Sequence, residues 1–222
     1  MTTSPEAGPE ANPTSSRAAT GSTEFGFDVA LPGTWWAIPV ADPAETERAV
    51  GDIVSATIGR RDQDARLRAE LRARFLYAAD RARSSGAVQL HLCREVMPDV
   101  PLPATLTVYW PRIALRASDD PVEALRGVLG TITEASDAGA ENLGDDDRAF
   151  PCGAAVRRRR IVTAEPGSPE EGVRTVEIDY WIATPSHRVL LLSFACGLPD
   201  LAEQLASLFD LVVTTLTWTP RA

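Results

Sequence analysis

The chain predicts an α/β fold of the α+β kind, an antiparallel sheet sandwiched between helices, and a few observations carry that expectation. Consecutive strand patterns joined by short connections lie between helical ends, an order that favours an antiparallel sheet over a doubly wound parallel one. The last strand pattern, Val189 to Ala195, runs through Gly197-Leu198-Pro199-Asp200 into a helical pattern. There Leu201, Leu205, Leu208, Val212 and Leu216 fall at i, i+4, i+7, i+11 and i+15, so one face of that helix must be covered.

Met1 to Glu24 holds Pro, Ser, Thr, Ala, Gly and Glu with no large apolar side chain after the initiator, and is expected to be a loose tail. Residues 25–220 are expected to form one domain. Phe25, Phe27 and Val29 alternate with Gly26 and Asp28 as a half-buried strand does, and Leu31-Pro32-Gly33-Thr34 turns the chain into an extended run from Trp35 to Val40. Asp42-Pro43 reads as an N-cap and first helical residue, opening a helix from about Ala44 to Thr57 that Gly59 stops. A second helix, Asp62 to Ser84, carries Leu67, Leu71, Phe75, Ala78 and Ala82 on one face and ends at Gly86.

Strands are expected over Ala87 to Val96 and Thr105 to Trp110, and Pro121 begins a third helix through Val122, Leu125, Val128, Leu129 and Ile132. The acidic run Glu141 to Asp147 reads as a solvated loop. Three further strands follow, Ala154 to Thr163, Val173 to Ala183 and Arg188 to Ala195, the last two a hairpin about Thr184-Pro185-Ser186-His187. The final helix is expected to close the chain at Trp218.

Composition narrows the function. All 22 basic residues are arginine, so Schiff-base catalysis and the P-loop lysine are excluded. A formal net charge of −9 argues against nucleic-acid binding. No apolar run of about 18 residues is available to span a bilayer. The three cysteines, Cys93, Cys152 and Cys196, show no CxxC spacing and read as reduced packing residues. The start of the chain shows neither the basic nor the apolar region of a secretory signal, so a cytoplasmic location is expected.

Phe27-Asp28-Val29-Ala30-Leu31-Pro32-Gly33-Thr34-Trp35, the long Ala- and Arg-rich helix, Pro103-Ala104-Thr105-Leu106-Thr107-Val108, Leu191-Leu192-Ser193-Phe194, and Phe209-Asp210 with Trp218 together resemble bacterial members of the PsbP-like superfamily. The resemblance covers most of the chain after Glu24, through strand and helix packing signatures. It implies an antiparallel sheet between helices in a superfamily whose known members are mostly non-enzymatic: photosystem extrinsic subunits, a binding factor for a nuclear-transport GTPase, and bacterial proteins of envelope or unknown function. It brings no catalytic motif. The chain departs from many envelope relatives in showing no export signal, which counts against a cell-wall role.

Two features are candidates for an interaction surface. Arg157, Arg158, Arg159 and Arg160 fall inside one strand, ahead of a strand bearing Glu177 and Asp179. Counting antiparallel from a Thr163–Val173 pairing sets Arg159 opposite Glu177 and Arg157 opposite Asp179; a slip of one residue selects Arg160 and Arg158 instead. Either way two arginines share a face with Val176 and Ile178, where they must reach water, a helix end or an anion; the bland alternative is a solvated, partly ion-paired strand. Trp35 and Trp36 are adjacent, so both are buried only if both sides of their strand are covered. His91 and Cys93 share a strand face and could be joined by Cys152 and His187, but without CxxC or HExxH spacing no metal site or cofactor is expected. No GxSxG, GxGxxG or GxxxxGK occurs. The sequence therefore points to a non-catalytic protein-interaction or scaffold domain. The alternative is a small-ligand binder with a pocket between sheet and helix.

Overall fold

The computed structural model describes residues 25–59, 61–116, 120–136 and 139–220; the expected tail, 1–24, lies outside the described residues. In chain order the elements are β1 (Phe25–Asp28), β2 (Thr34–Ile38), α1 (Pro43–Ile58), α2 (Ala65–Ser84), β3 (Ala87–Met97), β4 (Val100–Pro101) and β5 (Ala104–Tyr109). There follow α3 (Pro121–Ser136), β6 (Glu141–Phe150), β7 (Gly153–Thr163), β8 (Arg174–Ala183), β9 (Val189–Cys196), α4 (Ala202–Thr214) and β10 (Thr217–Pro220). An eight-stranded antiparallel sheet runs β2-β3-β5-β9-β8-β7-β6, with β4 on β3, and β1 pairs with β10 in a separate ribbon.

Local chemistry sets the boundaries. Asp42 caps α1 by accepting from the Ala44 amide at 2.8 Å, with Pro43 at the first helical position. Gly33, at φ 76°, turns β1 toward β2, and a Cβ there would lie 2.0 Å from the Glu95 carbonyl oxygen, so only glycine fits.

The two sheet faces are covered differently. On one face, alternate residues such as Leu106, Ile178, Tyr180, Leu192 and Phe194 pack against α4 and the β1–β10 ribbon; Phe209 of α4 stacks on Phe194 at 4.2 Å between centroids. On the other face, α1 and α2 seal Ile38, Leu90 and Leu92 at the β2–β3 end. At the far end α3 seals Val156, Trp181 and Val189, so apolar caps flank the middle of this second face. No helix among the described residues is long and apolar enough to cross a membrane.

Three expectations need correction. The Glu141–Asp147 run is not a loop but the first part of β6, because its carboxylates meet arginines of β7 and α3 and do not depend on water alone. The last helix ends at Thr214, where the Thr215 hydroxyl accepts from the Ala30 amide, and 217–220 turns into a strand. Leu201, expected on the buried helix face, sits in a short 3₁₀ turn ahead of α4 and is 43% exposed.

His91 lies 2% exposed on β3, beside Gln89, and burial lowers its pKa from 6.5 to about 4. An imidazole that stays neutral in the folded state while the unfolded chain protonates adds stability above pH 6.5, which is lost as pH falls toward about 4. Denaturant unfolding at stepped pH is expected to show the wild type losing about 3 kcal/mol more than His91→Gln across that window. Parallel pH profiles for the two proteins would contradict this.

Candidate functional site

The β7–β8 register is the slipped one. Thr163 pairs with Arg174, not Val173, because the Ala164 amide closes the turn on the Val173 carbonyl at 2.9 Å. Arg158 therefore stands opposite Asp179 and Arg160 opposite Glu177. Arg160 Nη2 donates to Glu177 Oε2 at 2.7 Å and to Asp179 Oδ2 at 3.2 Å, while Arg158 Nε lies 3.8 Å from Asp145. Two rows thus cross the second face. One reads Asp145, Arg158, Asp179, Ser193, Thr107, Leu90 and Ile38; the other reads Arg160, Glu177, Ala195, Thr105, Leu92 and Trp36.

Arg157 and Arg159 share the opposite face with Val176 and Ile178, and the anions they reach are the protein's own. Arg157 donates to Asp210 of α4 at 2.8 Å and to Asp146 of β6 at 2.7 Å. Tyr180 donates its hydroxyl to Asp210 at 2.7 Å, and burial followed by that bond raises the phenol's pKa. Arg159 pairs with Glu203 of α4 and lies 3.4 Å from Asp146, whose carboxyl the Arg157 bond holds below the usual range. Arg157, Arg158 and Arg159 are buried and Arg160 is half-buried.

A cleft of about 360 Å³ opens between α2, the middle of the second face and the β7–β8 turn. Thr105, Thr107 and Tyr109 of β5 and Ser193 of β9 form its floor with Glu177, and Tyr77 and Arg81 of α2 form its wall. β5 alternates small polar residues on this side with Ala104, Leu106 and Val108 in the core, so its pleat supplies hydroxyls to the cleft without leaving the core unfilled. Burial raises the carboxyl pKa values of both Glu177 and Asp179, their mutual repulsion adds to the rise at Glu177, and Arg160 opposes it. Burial also raises the Tyr109 phenol, with Asp179 adding and Arg81 opposing.

Among residues singled out from sequence, Trp35 is buried and donates to the Pro32 carbonyl at 2.8 Å. Trp36 is half-buried on the opposite side, with the Arg94 guanidinium 5.8 Å from its ring centroid. The structure does not bring these tryptophans together with Arg157–Arg160: they sit on β2, five strands away from β7 in the sheet. Cys152 and His187 line a second cavity, where burial pushes the thiol up to about 11. No group of three or more His, Cys, Asp or Glu among the described residues is arranged to hold a metal. Arg81, Tyr109, Thr107 and Ser193 were not singled out from sequence; the readable signal was Ser193 interrupting an apolar strand and Thr105-x-Thr107-x-Tyr109 keeping a polar period of two.

No protein-family model and no curated protein matches the chain. Among solved structures it is similar to LpqN of Mycobacterium tuberculosis, described as involved in cell envelope biogenesis, at 14% identity over 93% of this chain and 91% of that one, TM-score 0.49. It is similar to the cyanobacterial PsbP, CyanoP, of Synechocystis sp. PCC 6803, at 11% identity over 96% and 97% of the two chains, TM-score 0.45. A third, the Pseudomonas aeruginosa protein PA94, described as of unknown function and a putative regulator, is 14% identical over 61% of this chain and 76% of that one, TM-score 0.33. The antiparallel sheet with helices on both faces, seen in the structure itself, is the kind of arrangement that the sequence resemblance implied.

The arginine cluster under α4 gives a stability prediction. Asp210→Ala takes one of two carboxylates from the buried Arg157 guanidinium and leaves the Tyr180 hydroxyl only the Ala206 carbonyl at 3.3 Å, and is expected to cost about 3 kcal/mol in urea unfolding. Arg157→Met strands only carboxylates that keep partial contact with water, and is expected to cost less. The reverse order would show that the guanidinium is not the group that needs the pairing.

Proposed function

We propose that the protein is a non-catalytic binding domain, spanning 25–220, that holds a small ligand in the cleft between α2 and the sheet. The observation that carries this reading is the cleft itself: about 360 Å³, within the size range of small-ligand pockets, floored by hydroxyls and a carboxylate on a rigid sheet. The arginines support it by their placement, since Arg157, Arg158 and Arg159 are spent inside the fold and offer little to an outside partner. The absence of catalysis is supported by the held-up Cys152 thiol and by carboxylates that face arginine. Three free cysteines suit a reducing, cytoplasmic setting, and the net charge of −9 speaks against nucleic acid as the partner.

A second reading, a protein-interaction or scaffold domain, is favoured by one observation. Met97, Val100, Leu198 and Leu201 are exposed apolar side chains on the β3–β4 hairpin and the β9–α4 connection, and the Gly197 amide of that connection donates to the Pro103 carbonyl in the link from β4 to β5. Of the residues first singled out from sequence, Trp36 keeps side-chain surface for such a partner, whereas the Arg160 guanidinium is held by Glu177 and Asp179.

Native mass spectrometry and thermal-shift screening with small metabolites test the first reading. Retained or added ligand is expected on the wild type and not on Ala78→Trp, which fills the cleft from the half-buried side of α2, with circular dichroism confirming the fold. Equal binding by both proteins would move the site elsewhere. A partner that binds the wild type and Ala78→Trp alike, but not Met97→Glu with Leu201→Glu, would select the second reading.

A further inference from the structure

Charge is not distributed evenly around the cleft, and the imbalance specifies a kind of ligand. Arg81 sits in the last turn of α2, exposed, and lines the α2 wall. Among the described residues it closes no ion pair, although it is near enough to Glu177 and Tyr109 to act on both electrostatically. Glu177 lies across the cleft on the floor and accepts from Arg160 on Oε2, which leaves Oε1 to accept from a ligand. The cleft thus presents one cation, Arg81, and two carboxylates, Glu177 and Glu170, and Arg81 pairs with neither of them.

A ligand of single charge meets attraction and repulsion together there. An anion drawn to Arg81 approaches Glu177, and Glu170 at the rim; a cation drawn to Glu177 approaches Arg81. A molecule carrying both signs satisfies both walls and displaces only the water between them. Thr105, Thr107 and Ser193 supply hydroxyls along the span, and Ala78, Ala82 and Leu90 give one side an aliphatic lining. We propose that the cleft binds a small zwitterion of the free α-amino-acid type, its carboxylate on Arg81, its ammonium on Glu177 and a short aliphatic side chain against α2. This deepens, and rests on, the small-ligand reading of the same cleft.

The experiment compares L-leucine with isocaproate, which lacks the ammonium, and isoamylamine, which lacks the carboxylate, by titration calorimetry and by amide chemical shifts of the wild-type chain. L-leucine is expected to bind about tenfold or more tightly than either, since each single-charge probe gives up one charge-assisted contact. Arg81→Gln is expected to bring L-leucine to the level of isoamylamine, and Glu177→Gln to that of isocaproate. Isocaproate or isoamylamine binding as tightly as L-leucine, with shifts at Thr107 and Ser193, would overturn the zwitterion and leave the cleft standing as a ligand site. Failure of all three probes on a protein that carries a different ligand from its cells, lost in Ala78→Trp, would do the same. Failure of all three with no ligand at the cleft would remove both readings.

Discussion

Four consecutive arginines, buried or half-buried in the strand next to a sheet edge, are tolerated only if each strand face supplies anions, because an unpaired buried guanidinium costs several kcal/mol. That requirement organises the molecule. Asp146 and Asp145 come from β6 on alternate faces, Asp210 and Glu203 come down from α4, and Glu177 and Asp179 stand beside the arginines on β8. An acidic run that would be free in solution becomes an edge strand, and the terminal helix is oriented by charge as well as by the Phe194–Phe209 stack. The edge so formed is rich in carboxylates, a composition that discourages edge-to-edge pairing with another sheet.

The cleft follows from the same arrangement. The apolar caps on the second face sit where the rows end in Leu90, Leu92 and Ile38 on one side and around Val156 and Trp181 on the other. Between them the rows carry Asp179, Ser193, Thr107, Glu177 and Thr105, which no apolar helix face could cover without stranding polar groups. The polarity of the band and the gap in the helical cover have one cause.

Periodicity made most elements legible. The strands over 87–110 and 154–196, the helices after Asp42 and Pro121, and the hairpin at Thr184-Pro185-Ser186-His187 fall where alternation and capping put them. Register was legible only as two alternatives, because Glu177 and Asp179 offer a plausible partner to either parity of Arg157–Arg160; the turn hydrogen bond from Ala164 to Val173 decided it. The Glu141–Asp147 strand escaped notice because local charge density favours solvation, and its partners lie up to 33 residues away, at Arg174. The cleft residues escaped for a related reason. Arg81 and Tyr109 belong to separate elements, and nothing in the spacing of either announces that the fold sets them around one space.

The β1–β10 ribbon has a mechanical consequence. Phe25 is aligned with Pro220 and Asp28 with Thr217, so a load applied through residues 25 and 220 falls first on the outermost pair and opens the ladder one rung at a time. Such a clasp peels at low force, whereas the long ladder between β7 and β8 resists as a block. Stretching the chain from these two positions would therefore release the ribbon, and with it one cover of the Phe27 and Trp110 cluster, while the sheet beneath stayed whole.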